Sequence, residues 1–159
     1  MALDSMDLDV AALDQQLDGQ ALRPGDHGYE PARVIFNGMI DKRPAVIVRC
    51  RSVTDVQHAL RFATGRGLPV SVRGGGHNVA GHALVQDGLM VDLSLMRAVE
   101  VDAEARVAQA QPGASWLDFD TATTAKGFVT TGGTVGSTGI AGLTLGGGIG
   151  HLMGSYGLT

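Results

Sequence analysis

"AVIVRCRSVTDVQHALRFATGRGLPVSVRGGGHNVAG", Ala45 to Gly81, decides the fold. It opens with a β-branched run, "AVIVRC", of the kind that forms a buried strand. Ser52 then stands three residues ahead of Asp55, the spacing of a capping box in which each side chain satisfies an orphan backbone N–H. Val53, Val56, Ala59, Leu60 and Ala63 make an apolar helical stripe, and Gly65 or Gly67 ends it. "LPVSVRG" reads as a second buried strand. Strand, helix and strand with tight connections make a βαβ unit.

The second strand runs straight into Arg73, three glycines and His77. Glycine is entropically costly, so a triplet at a strand end needs a reason. It lets a backbone approach a ligand closely and turn several N–H groups inward, a concavity that suits phosphate or pyrophosphate. It also makes a plain tight turn, and on the triplet alone both readings stand. Arg73 either adds charge to the loop or braces it by donating to carbonyls.

Working outward, residues 7–19 place Leu8, Ala11, Ala12 and Leu17 at helical spacing, and "DGQALRPGDHGYEPA" reads as an irregular connection. Beyond the triplet, "LMVDLS" is a strand, and "AVEVDAEARVAQAQPG" is an antiparallel hairpin turning near Asp102–Ala105. Ser115 to Lys126 forms a helix closed by Gly127, with Trp116 and Phe119 in the core. Glycines then dominate again: 11 of the 26 residues from Gly132 to Gly157.

Composition narrows the function. The 159 residues are 44% hydrophobic, with 24 glycines, about twice the ordinary share of roughly 7%. Net charge is −4 and the 12 basic residues are scattered, so no stripe follows a nucleic-acid backbone. The acidic N-terminus has no basic n-region and no apolar run spans a bilayer, so a cytoplasmic protein is expected, without a membrane partner. One cysteine, Cys50, excludes a disulfide framework and a cysteine zinc cluster. No histidines and carboxylates stand at metal-ligand spacing, and His27, His58, His82 and His151 receive no role. Asp92 is expected to satisfy loop amides. Walker A fails because no glycine precedes a lysine, and "GGGIGHLMG" does not fit the dinucleotide fingerprint.

The quoted stretch, with "GLMVDLSLM" and "TTGGTVGSTGIAGLTLGGGIGHLMGSYGLT", resembles the vanillyl-alcohol oxidase superfamily, in its berberine-bridge-enzyme-like branch. The resemblance runs from about Tyr29 to Thr159. It implies an α+β fold: a two-subdomain FAD-binding domain of the PCMH type, truncated here at the C-terminus, with 1–28 as an N-terminal helix and connection and the substrate domain absent. It implies FAD held by Arg73, Gly74, Gly75, Gly76, His77 and Asn78, with His77 as the covalent attachment point. Thr134, Val135, Gly136, Ser137, Thr138, Gly139, Gly142 and the run Gly146–Gly148 would line the rest of the cofactor. Aligned on "LGGGIG", Val135 takes the place of the cysteine that makes a second bond in some members, so one linkage is expected. The family's catalytic base is expected beyond Thr159. The resemblance implies an FAD-linked oxidoreductase, acting on a small molecule whose identity the sequence leaves open, with O2 as electron acceptor. A truncated, non-catalytic FAD-binding module is the alternative, and a glycine-rich domain for another anion is a third reading.

Overall fold

The computed structural model describes residues 9–159. The chain forms two compact units. The first holds the residues up to Arg73 together with Asn78–Leu95, and the second holds Gly74–His77 and Met96–Thr159.

The first unit is built on a four-stranded sheet of β1 (Gln20–Leu22), β2 (Val46–Arg49), β3 (Val70–Arg73) and β4 (Leu89–Asp92), in the order β1-β2-β4-β3. β2, β4 and β3 are parallel and β1 is antiparallel to β2. The helices are α1 (Val10–Asp14), α2 (Tyr29–Arg33) and α3 (Val53–Gly65). The expected strand–helix–strand unit is present as β2, α3 and β3, with β4 between the two strands. β4, "LMVD", is buried along its whole length. A continuous apolar run covered on both faces is what a central parallel strand requires.

Register sorts the side chains into rows, because paired residues share a face. Leu22, Ile47, Met90 and Ser71 form one row, and Gln20, Arg49, Asp92 and Arg73 the next. The first row packs its apolar members with Tyr29 and Ala32 of α2. Val46, Val48 and Val91 are buried on the opposite face, where α3 meets β4.

Five expectations for this unit need correction. The first helix covers only Val10–Asp14 and buries Val10 and Leu13, whereas Ala11 is exposed and Ala12 and Leu17 are half-buried; Leu8 lies outside the described residues. The connection read as irregular contains β1 and α2, both too short for a period to show, and α2 carries Pro31 in its first turn, where a missing N–H costs nothing. α3 buries Asp55, Ala59, Phe62 and Ala63, so Val53 and Leu60 face outward and the buried face is rotated from the expected stripe. β3 is an edge strand that buries Ser71 and exposes Val70 and Val72, because nothing among the described residues pairs with its outer side. The capping box is half-formed. Ser52 Oγ accepts from the Asp55 N–H, but the Asp55 carboxylate accepts from Arg51, Asp18 and Gly19 at 2.8–3.0 Å.

The second unit contains the hairpin β5 (Val99–Asp102) and β6 (Val107–Ala110), then α4 (Trp116–Thr124), α5 (Ile140–Leu145) and α6 (Met153–Tyr156). The hairpin turns where expected, and Asp102 Oδ1 accepts the N–H groups of Glu104 and Ala105. α4 starts with a complete capping box between Ser115 and Asp118, a device that contributes about 1 kcal/mol. Arg97 holds the same carboxylate with two nitrogens. Trp116 and Phe119 are buried edge to face, with ring centroids 5.6 Å apart.

Candidate functional site

The glycine loop belongs to the second unit by its contacts. A Cβ at Gly74 would stand 2.9 Å from the Pro112 carbonyl oxygen, and one at Gly75 would stand 2.5 Å from both N and Cα of Gly139. Gly139 is closed by Gly75 in the same way. Gly76 is buried with φ +72°, a conformation that glycine adopts without strain. His77 Nε2 lies 3.1 Å from the Ser137 carbonyl oxygen. A carbonyl only accepts, so Nε2–H donates in this contact.

The segment from Thr134 to Gly142 is pinned from the other side by the start of α4. Trp116 N–H donates to the Thr138 carbonyl at 3.0 Å, Leu117 N–H to Gly136 at 2.9 Å, and Ile140 N–H to Ala114 at 2.9 Å. Thr138 N–H closes a turn onto the Val135 carbonyl. Thr134 and Val135 are exposed. Gly136 sits close over Leu117 and Gly148 over the Leu143 side chain, whereas Gly142 faces open space.

These two stretches share one property. Among the described residues, nothing accepts the N–H groups of Gly74, Gly75, Gly76, Gly136, Ser137 or Gly139. Gly76 and Gly139 are buried, where backbone donors are almost always paired, so their unaccepted N–H groups beside the Gly75–Gly139 contact mark a place for an external acceptor. Bare amides at that spacing bind an anion through hydrogen bonds and partial positive charge. Gly139, the N-cap of α5, brings no side-chain acceptor to compete.

In the first unit, the Arg73 guanidinium donates to the Ala32 carbonyl at 2.5 Å. The contact is with the end of α2, not with the loop. Asn78 Oδ1 accepts from His82 N–H at 3.2 Å, shaping the turn that follows the loop. Asp92 accepts from Ser94 N–H and pairs with Arg49 Nε at 3.3 Å, so it satisfies a loop amide as expected and a guanidinium besides. No group of metal-ligating side chains occurs among the described residues. Cys50 is fully buried in β2's C-terminal continuation, and burial, with Asp55 and Asp92 adding negative charge, pushes its thiol up to about 12. The Pro112 carbonyl lies against the loop without any signal in the sequence, and Ser137, expected only to line the flavin, meets His77 through its carbonyl, since a backbone oxygen leaves no residue-type signal.

A family model described as FAD binding domain matches residues 44–159, and the chain belongs to this family. Its relatives are FAD-linked oxidoreductases. The chain is 34% identical over 142 residues to (R)-6-hydroxynicotine oxidase of Paenarthrobacter nicotinovorans, covering 89% of this chain and 31% of that one. The solved structure of a berberine-bridge-enzyme-like protein from Physcomitrella patens superposes with a TM-score of 0.86 at 28% identity, covering 94% of this chain and 33% of that one. Xylooligosaccharide oxidase from Myceliophthora thermophila superposes with a TM-score of 0.84 at 26% identity, covering 94% and 32%. The chain therefore spans about a third of the length of the proteins it matches. The α+β FAD-binding fold implied by the sequence motifs is the fold observed.

The residues present fit the cofactor. The unaccepted amides of Gly74–Gly76, Gly136, Ser137 and Gly139 suit its pyrophosphate, and the opening at Gly142 leaves room for a ligand to approach. No helix among the described residues is long and apolar enough to cross a membrane.

Proposed function

We propose that the chain is the FAD-binding part of an oxidase, tethered to its cofactor by a single covalent bond at His77. The observation that carries this reading is the set of unaccepted amides of Gly74–Gly76, Gly136, Ser137 and Gly139, next to an imidazole oriented by the Ser137 carbonyl. The amides hold the pyrophosphate; Arg73 and Asn78 shape the two ends of the loop. Thr134, Val135, Thr138, Gly142 and Gly148 border the rest of the cofactor, and Val135 stands where a second, cysteine-made bond would otherwise form.

In the tether, His77 would supply a neutral imidazole nitrogen and bound FAD its 8α-methyl carbon, with one hydrogen lost from each and the two electrons taken by O2 to give hydrogen peroxide. Bound FAD supplies the hydride acceptor for substrate oxidation. By analogy with the hydroxynicotine and xylooligosaccharide oxidases, the substrate of the complete enzyme is a small molecule with an alcohol or amine C–H, and O2 takes the electrons.

Acid precipitation of the purified chain tests the reading. Yellow colour retained in the washed pellet supports the covalent tether. Colour released wholly into the supernatant rejects the bond but keeps FAD, and a colourless protein that takes up no added FAD rejects the reading.

A further inference from the structure

Arg73 is the last residue before the glycine loop, and its side chain turns away from solvent. It shares a sheet face with Ser71, which is buried and donates to the Ala83 carbonyl. Arg73 Nε is sealed from water and has no hydrogen-bond partner among the described residues. The guanidinium instead reaches the Ala32 carbonyl at 2.5 Å. Ala32 lies in the last turn of α2, where carbonyls lack helical partners and a positive charge is favoured.

That anchor is itself fixed. Tyr29, in the first turn of α2, is fully buried and donates its hydroxyl to the Pro44 carbonyl at 2.7 Å. The carboxylate in register with Arg73 is committed elsewhere: Asp92 pairs with Arg49 and accepts from Ser94. Arg73 is thus a cation aimed at a rigid carbonyl inside its own unit, in a row that gives two guanidiniums one carboxylate.

We infer that Arg73 is a positioning residue: anchored on the Ala32 carbonyl, it holds rigid the point from which the glycine loop departs, and it acts on a bound phosphate through that loop without touching it. The inference rests on the FAD reading above for its functional consequence, but its structural half is measurable without any cofactor.

The test compares the wild-type chain with Arg73→Met and Arg73→Lys, first without cofactor. Backbone relaxation of Gly75 and Gly76 should change from rigid values of about 0.85 in the order parameter to below about 0.6 in Arg73→Met, with α3 unaffected. Inorganic pyrophosphate should bind about tenfold more weakly to that variant, the loss that a disordered loop imposes before it can bind. Arg73→Lys, which keeps a donor for the Ala32 carbonyl, should restore both. Unchanged order parameters in Arg73→Met would overturn the inference, with pyrophosphate binding lost (a direct contact) or retained (no role). Loosening of α3 together with the loop would overturn it as well, in favour of a general structural role. If the wild-type chain binds neither pyrophosphate nor FAD while the loop still loosens selectively, the FAD reading falls and the brace stands.

Discussion

Gly75 and Gly139 meet backbone to backbone, so closely that a Cβ on either would lie within 2.6 Å of the other's main chain. No side chain stands between them to give way. Gly75→Ala and Gly139→Ala should each cost about 1–3 kcal/mol, the range for overpacking a closed contact. Both should also open the loop and lose FAD. Thermal unfolding and flavin absorbance after desalting measure the two effects. Gly65→Ala is the control, because the added methyl group meets open space and Gly65 lies in α3, away from the loop.

His77→Ala should leave a chain that still takes up FAD through its backbone amides. Acid should then release the flavin completely. Losing the electron-withdrawing bond should also lower the midpoint potential of the bound flavin, a change that spectroelectrochemistry against wild type reads directly.

Asp55 governs acid sensitivity in the first unit. Burial pushes its carboxyl up, but the N–H groups of Arg51, Asp18 and Gly19 and the Ser52 hydroxyl together hold it below the ordinary range. A depressed carboxyl contributes stability that is present above the unfolded-state value, about 3.9, and is lost as pH falls through the folded one. The stability difference between wild type and Asp55→Asn should therefore be full near neutrality and shrink progressively as pH falls below about 4. Denaturant unfolding at a series of pH values measures it. Asp55→Ala should cost more, about 3 kcal/mol or above, because it strands buried donors.

Cys50 should be inert in the folded chain. With its thiol pushed up to about 12 by burial and by the charges of Asp55 and Asp92, almost no thiolate exists at pH 8. A disulfide reagent should label it only after denaturant is added, and Cys50→Ala should leave the amount of acid-stable flavin unchanged.

The sequence displayed most of the frame and part of the site. β2, β4, α3, the hairpin and α4 each carry a run, a period or a cap that composition alone exposes. β1 and α2 do not, at three and five residues, because so short an element takes its conformation from its neighbours. The rotated face of α3 has one physical source. Asp55 is 1% exposed, since three backbone donors converge on it, and a residue that reads as a surface cap becomes part of the interior. At the site, the R-G-G-G-H run announced a loop and an imidazole, but not what they lean on. Ser137, Pro112 and Ala32 act through carbonyl oxygens, which every residue possesses and no pattern reveals.

Because the chain leaves its first unit at Gly74, returns at Asn78 and leaves again after Leu95, neither unit is a continuous length of polypeptide. A gene trimmed to express one of them would cut a piece from the other. Joining the chain ends by circular permutation would not help, since the segments still alternate, so a minimal flavin carrier must keep both halves on one template.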